Sequence, residues 1–373
     1  MTELFPSKKL GFGLMRLPTQ GDGAIDLDLL CRMADRFLGA GFTYFDTAYV
    51  YHDGESERAF RRAVTERYPR DRYLLATKMP HNFLKNSEDV DATFQEQLRR
   101  TGAGYFDFYL MHGVNNRNWE RYERFGCWEH AARMKREGLI KRLGFSFHGT
   151  PALLEQTLRD HPEAEFVQLQ INYADWESPR VCSRECYEIV RRHGLPISVM
   201  EPVKGGMLAS LPDAAAKILQ KAAPGASQAS WALRFAAGLE GVGMVLSGMN
   251  AMEQLEDNIA VLSEPGALDG AERDALERAA ASLLSSPTEP CTGCRYCVKG
   301  CPAGLEIPAL LAALNNCRLF PGAPGAKSQW EQATQRGAAP ARCVACGQCE
   351  AACPQHLPIV SLLKELKSAF ETN

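Results

Sequence analysis

Eight cysteines near the end of this 373-residue chain fall into two runs of identical spacing. Cys291, Cys294, Cys297 and Cys301 precede Pro302, and Cys343, Cys346, Cys349 and Cys353 precede Pro354, so each run reads C-x2-C-x2-C-x3-C-P. Thiolates in that spacing hold [4Fe–4S] clusters, and where two such runs occur the fourth cysteine of each serves the other cluster. The expected ligand sets are therefore Cys291, Cys294, Cys297 and Cys353 for one cluster, and Cys343, Cys346, Cys349 and Cys301 for the other. Paired C-x2-C motifs can also build a tetrahedral zinc site, but a duplicated run of eight cysteines favours two clusters.

A second set of reactive residues lies far upstream. Asp46, Lys78 and His112 each close a short β-rich run, in Tyr44-Phe45-Asp46, Ala76-Thr77-Lys78 and Leu110-Met111-His112, and Tyr51 follows Asp46 by five residues. A free phenol, with a pKa near 10, is a poor acid at neutral pH, but an adjacent ammonium favours its ionised form. Lys78 is expected to supply that charge, Asp46 to hold Lys78 in place, and His112 to hydrogen-bond a carbonyl oxygen. Such a set would protonate the alkoxide formed when hydride reaches a carbonyl carbon. Tyr49 is a weaker alternative to Tyr51, because its ring could simply pack on a rim.

Something must bring these residues to one place. Between residues 9 and 262, β-rich runs at 9–14, 42–46, 74–78, 106–112, 142–146, 166–172, 197–200 and 244–247 alternate with helical-period stretches such as 27–38 and 231–237. Repeated βα units predict a parallel sheet, and eight of them predict a closed (β/α)8 TIM barrel. The chemistry of such a barrel sits at the C-terminal ends of its strands. An open doubly wound sheet usually shows G-x-G-x-x-G after its first strand, and this chain has no such motif. The polar, proline-bearing stretch 285–290 reads as a linker, dividing residues 1–284 from a small, partly helical, ferredoxin-like domain at 285–373. Within that domain a helix is expected over 307–319 and a Gly/Pro-rich loop over 321–327. The other five cysteines, Cys31, Cys127, Cys182, Cys186 and Cys317, read as small buried side chains.

Composition narrows the partners. With 45% apolar and 23% charged residues and a formal net charge of −3, the chain has no basic footprint for nucleic acid. No run approaches the eighteen apolar residues of a membrane span, and the first residues lack a signal-peptide core. A reducing, cytoplasmic setting suits the cysteine runs.

The segments around Asp46, Tyr51, Lys78 and His112 resemble the aldo/keto reductase superfamily, whose Asp-Tyr-Lys-His tetrad they match in identity, order and context. Phe45-Asp46-Thr47-Ala48, Tyr109-Leu110-Met111-His112 and the segment Ile140 to Ser146 carry the likeness over roughly residues 9–262. Met200-Glu201-Pro202-Val203-Lys204-Gly205-Gly206 and the first cysteine run resemble a branch with a C-terminal ferredoxin domain. The resemblance implies that NADP(H) or NAD(H) binds, with Ser146 and Gln168 at its carboxamide and Gly13, Leu14 and Met15 beneath it. It further implies contacts from Met200, Glu201, Val203, Gly205, Gly248, Asn250, Gln254 and Asn258. Two departures stand out: Met200 occupies a position where relatives carry an aromatic ring, and Gly248-Met249-Asn250 with Gln254 occupies a stretch where they carry basic residues.

The resemblance thus implies an oxidoreductase that interconverts a carbonyl and an alcohol by hydride transfer. The alternative is an electron-transfer iron–sulfur protein whose barrel is a ligand-binding or partner-docking scaffold. Hydride carries two electrons and each cluster moves one, so coupling the halves would call for a flavin, bound here although no motif is visible or supplied by another protein; otherwise the clusters take no part in each turnover. The clusters pass electrons to a redox protein partner or serve as structure. The small-molecule substrate is left open, with walls expected from loops around Trp119, Trp128 and Trp176.

Overall fold

The computed structural model describes residues 4–21, 23–179, 181–264, 266–285, 288–319 and 324–370. Eight parallel strands close into a barrel in sequence order: β1 Leu10–Gly13, β2 Tyr44–Asp46, β3 Leu74–Met79, β4 Phe106–Val114, β5 Ile140–Phe147, β6 Phe166–Gln170, β7 Ile197–Met200 and β8 Val242–Gly248. All eight expected strands are present, with different ends. β3 and β4 run one and two residues past Lys78 and His112, while β6 stops two residues short of Asn172.

Strand alternation explains how an apolar barrel carries a polar mouth. Side chains at i, i+2 and i+4 share a face. Tyr44, Ala76, Phe108, Leu110, Phe166, Met244 and Leu246 form one buried cluster inside the barrel, joined by Phe5, which stacks on Phe108 with ring centroids 5.2 Å apart and plugs the N-terminal end. Two residues on from this layer stand Asp46 after Tyr44, Lys78 after Ala76, His112 after Leu110 and Gln168 after Phe166. The intervening residues Phe45, Leu75, Tyr109, Phe145, Val167 and Val199 face the surrounding helices in the main core. Parallel strands buried on both faces therefore read as nearly continuous apolar runs, and polar groups enter only where the inward row reaches the open end.

The helices follow from amphipathic spacing and caps. Helix Leu27–Gly39 begins at Asp26, whose side chain accepts from Leu29 N–H, and it buries Leu30, Met33, Ala34, Phe37 and Leu38. Helix Gly270–Leu284 starts with a capping box between Asp269 and Glu272 and packs against helix Asp213–Ala222.

Beyond it the chain forms a second apolar cluster of its own, built on Leu305, Leu310, Leu311, Leu314, Leu357, Ile359, Leu362 and Leu363. Helix Ile307–Leu319 matches the expected span. The expected 321–327 loop does not, because Pro324 opens helix Pro324–Arg336, proline at a first helical position costing no hydrogen bond; residues 320–323 lie outside the described residues. So do Ser286 and Pro287 of the expected linker.

The two cysteine runs share one backbone course. Left-handed residues recur at matched positions, Gly293 with Ala345, Arg295 with Gly347, and Gly304 with His356. Each run contains one short helix, Tyr296–Lys299 or Gln348–Ala351, and is followed by a long one, Ile307–Leu319 or Ile359–Phe370. The module is thus an internal duplication. No helix among the described residues is long and apolar enough to cross a membrane.

Candidate active site

The inward rows of β2, β3 and β4 bring three of the four expected groups together, and the loop after β2 adds the fourth. Lys78 Nζ donates to Asp46 Oδ1 at 2.6 Å, to the Thr47 carbonyl at 2.7 Å and to the Tyr51 hydroxyl at 3.3 Å. The Tyr51 and His112 rings meet edge to face at 5.7 Å. The loop is held because the Thr47 and Ser56 hydroxyls bond each other at 2.8 Å and Ser56 donates to the Leu14 carbonyl at 3.0 Å. Tyr49 turns elsewhere, its ring against Phe83 and beneath the Arg100 guanidinium at 3.9 Å. The two tyrosines are thereby distinguished.

Burial dominates the electrostatics. It pushes the Lys78 ammonium down, against the opposing pull of Asp46. Burial also drives the His112 imidazole well below its ordinary value, with the Lys78 charge adding to the effect, so His112 is neutral and keeps one N–H to donate. The expectation that Lys78 depresses the Tyr51 phenol is not met. Burial first and the Asp46 charge second hold Tyr51 well above 10, against the opposing pull of Arg16.

These residues open into a cavity of about 460 Å³, within the range of small-molecule sites. Asp46, Tyr51 and His112 line it; Lys78 is fully buried behind them. Gly13, Met15, Ser146, Gln168, Met200, Glu201, Val203, Gly205, Gly248, Asn250, Gln254 and Asn258 also line it. Leu14 does not, since its side chain packs in the core. Ser146 accepts from Gly113 N–H at 2.7 Å, Gln168 donates to Asp46 Oδ2 at 3.2 Å, and Asn258 donates to Ser247 at 2.8 Å. The expected tryptophan walls are absent from the lining: Trp128 is buried against His161, and Trp119 and Trp176 pack on the core.

Other lining residues were not singled out from the sequence. Glu253 and Asp257 bring carboxylates to the β8 end, and Arg16 brings the one Lys or Arg side chain of the lining among the described residues. Arg16 is engaged, pairing with Glu201 at 3.2 Å and donating to the Thr292 carbonyl at 2.9 Å. Thr292, Cys294, Tyr296, Pro354 and Gln355 reach the cavity from the cysteine-bearing module. No local signal marks them, because their approach depends on how the module docks.

That docking accounts for the segment Met200 to Gly206. A Cβ on Gly205, at φ +65°, would lie 2.5 Å from the Thr292 carbonyl oxygen, so the close approach requires glycine. Lys204 pairs with Asp175 and donates to Gln355 Oε1 at 3.3 Å. Gln170 and Gln355 exchange amide hydrogen bonds at 3.2 and 3.1 Å, and all four side chains are buried.

The cysteines surround two further cavities. Cys291, Cys294, Cys297 and Cys353 line one, and Cys301, Cys343, Cys346 and Cys349 line the other. The fourth cysteine of each run has crossed to its partner's site. The first cavity shares Thr292, Cys294 and Gln355 with the barrel cavity. The second lies beside solvent, where Cys346 is exposed and Val344 is 66% exposed.

Residues 9–280 match the aldo/keto reductase family, and residues 290–357 match the 4Fe-4S dicluster domain. A probable aldo-keto reductase 1 of Glycine max is 27% identical over 213 residues, 55% of this chain and 58% of the relative. An NAD/NADP-dependent indole-3-acetaldehyde reductase of Schizosaccharomyces pombe is 32% identical over 75 residues, 20% of this chain and 24% of the relative. The chain thus spans somewhat over half the length of the first relative and about a quarter of the second. An aldo-keto reductase of Bacillus halodurans in its holo form shares the barrel with a TM-score of 0.57 and 24% identity, over 73% of this chain and 91% of that one. An aldo-keto reductase of Klebsiella pneumoniae in complex with NADPH does so with a TM-score of 0.60 and 22% identity, over 77% and 94%. With a closed eight-stranded barrel and a family match over most of its length, this chain belongs to the aldo/keto reductase family and carries a C-terminal 4Fe-4S domain.

Proposed function

We propose that the barrel interconverts a carbonyl and an alcohol by hydride transfer with NADP(H) or NAD(H), using Asp46, Tyr51, Lys78 and His112 as its catalytic residues. The observation that carries this is the chain of contacts from Asp46 through Lys78 to the Tyr51 hydroxyl, beside a neutral His112, at one end of a cavity long enough to reach β8. Bound nicotinamide would supply hydride for reduction and accept it in reverse. Tyr51 gives its proton to the carbonyl oxygen, Lys78 keeps the phenol oriented, and His112 donates a hydrogen bond to the same oxygen. Hydride plus proton completes the reduction; a flavin would serve only to pass those electrons on to the clusters. Ser146 and Gln168, beside Asp46, suit a carboxamide; Gly13 and Met15 suit its floor. Met200, Glu201, Val203, Gly205, Gly248, Asn250, Gln254 and Asn258 would hold the rest of the dinucleotide.

In the same reading residues 1–284 are the catalytic unit, and residues 285–373 hold two [4Fe–4S] clusters. Two cysteine quartets lining separate cavities support the exchanged ligand sets Cys291, Cys294, Cys297, Cys353 and Cys343, Cys346, Cys349, Cys301. Cysteine thiolates awaiting clusters fit a reducing cytoplasm, and the solvent-side quartet suits exchange with a redox protein.

The test of the reaction is reduction of a panel of aldehydes by anaerobically purified protein with NADH and NADPH, followed as loss of the reduced-nicotinamide absorbance. Because burial raises the Tyr51 phenol, its proton stays on through the neutral range. Reduction should therefore show no Tyr51-dependent decline up to about pH 9, below the ordinary phenol value near 10, whereas alcohol oxidation should speed up as pH rises. A tenfold fall in reduction per pH unit between about 7 and 9 would mean a lower-pKa donor.

For the module, anaerobic protein should contain about eight iron and eight sulfide per chain, as two four-iron clusters require. Zinc without sulfide in elemental and sulfide analysis would remove that assignment.

A further inference from the structure

We infer that Tyr296, supplied by the iron–sulfur module, is a specificity-determining wall of the barrel's carbonyl site, so that the module sets which substrates reach Tyr51. This rests on the carbonyl-reduction reading and adds to it the origin of the substrate pocket's outer wall.

Two observations converge on Tyr296. It lines the same cavity as Asp46, Tyr51 and His112. Its ring stands edge-on to the His112 ring at 6.5 Å, as the Tyr51 ring does from its own side at 5.7 Å. The space in front of Tyr51 and His112 is therefore bounded on one side by the Tyr296 ring.

The wall is held from both sides. Arg295 takes a left-handed conformation, φ +65°, which turns the chain so that Tyr296 opens the short helix Tyr296–Lys299. Four residues before Tyr296, Thr292 is fastened to Arg16 and pressed on Gly205. The duplicated run places Gln348 at the matching position of its own short helix, and Gln348 does not line the barrel cavity. A large aromatic residue thus stands in the copy of the motif that faces the tetrad. A fixed aromatic wall admits slim carbonyl compounds and excludes broad ones, because packed side chains yield little.

The experiment measures binding and turnover side by side on the full-length, anaerobically purified holoprotein. Benzaldehyde serves as the slim probe and naphthaldehyde as the broad one. Binding is followed by calorimetry with oxidised nicotinamide dinucleotide present, so that aldehyde cannot be reduced. Tyr296→Ala should shift the ratio of the two dissociation constants towards naphthaldehyde by on the order of tenfold, the scale on which an apolar pocket separates related substrates. Tyr296→Leu should shift it in the same direction and decides the matter if the alanine variant loses its cluster absorbance. Tyr296→Phe keeps the ring and should hold the ratio within about twofold. An unchanged ratio in both truncated variants, or no aldehyde binding to any form, overturns the inference. A shifted ratio without turnover in any form supports the wall and removes the carbonyl-reduction reading.

Discussion

Tyr51→Phe should lower turnover by about 10² to 10⁴, the usual worth of a positioned general acid, while leaving the fold intact. The substitution removes only the hydroxyl that receives the Lys78 hydrogen bond at 3.3 Å. Ring packing against His112 is kept, and the Asp46–Lys78 pair is untouched at 2.6 Å. Nicotinamide affinity, measured by fluorescence titration, should therefore change little while kcat collapses. Tyr49→Phe is the control: that ring packs on Phe83 and Arg100, away from the tetrad, and its hydroxyl has no part in the proposed step. A Tyr51→Phe protein that reduces a wild-type substrate at an undiminished rate would sink the catalytic assignment. The barrel would then be better read as a binding or docking scaffold for an electron-transfer module.

The second large effect is expected at the seam between barrel and module. Lys204→Met should destabilise the protein by about 3–5 kcal/mol, the cost of removing one partner from a buried ion pair, and should loosen the module by removing the bond to Gln355. Lys204 and Asp175 are both buried, with side-chain exposures of 5% and 6%, and Lys204 also donates to Gln355 from the loop after Cys353. Without the ammonium, Asp175 keeps its bonds from Gln170 and Asn172 but loses its counter-charge. That energy corresponds to a factor of about 10² to 10³ or more in the folded-to-unfolded ratio. Faster air bleaching of the clusters and earlier proteolytic cleavage near residue 285 would report it. Lys299→Met is the matched comparison, because its pair with Asp53 is solvent-exposed on both sides and such pairs contribute little. Equal, small changes in the two variants would show that the buried network does not hold the module in place.

Gly205 fits the same picture. The resemblance implied a cofactor contact for it, and it does line the cavity, but its conformation and its approach to Thr292 give it a separate physical duty at the seam.

Much of the molecule was legible in the residues alone. The eight strands showed because each is a short β-rich run between amphipathic stretches, a local pattern. The tetrad showed because inward-facing rows end at the open mouth, where polar side chains interrupt apolar filling at Asp46, Lys78 and His112. The crossed cysteine quartets followed from spacing, since a duplicated run brings its fourth thiol to the other copy. What the sequence could not express was anything set by three-dimensional neighbours. The sign of the Tyr51 shift depends on how deeply the ring is buried and on the nearby Asp46 charge, which no spacing encodes. Leu14 reads as a pocket residue and packs inward, whereas each tryptophan reads sooner as packing than as substrate contact and does pack on the core, since one residue of strand phase or a helix's rotation decides which face a side chain takes. Above all, Tyr296 meets His112 across 184 positions of chain, and Thr292 and Gln355 meet Arg16, Gly205, Gln170 and Lys204 through a docked surface of buried hydrogen bonds and one bare glycine. Local sequence specifies elements and their faces; contact between distant elements is decided by which of those faces pack together.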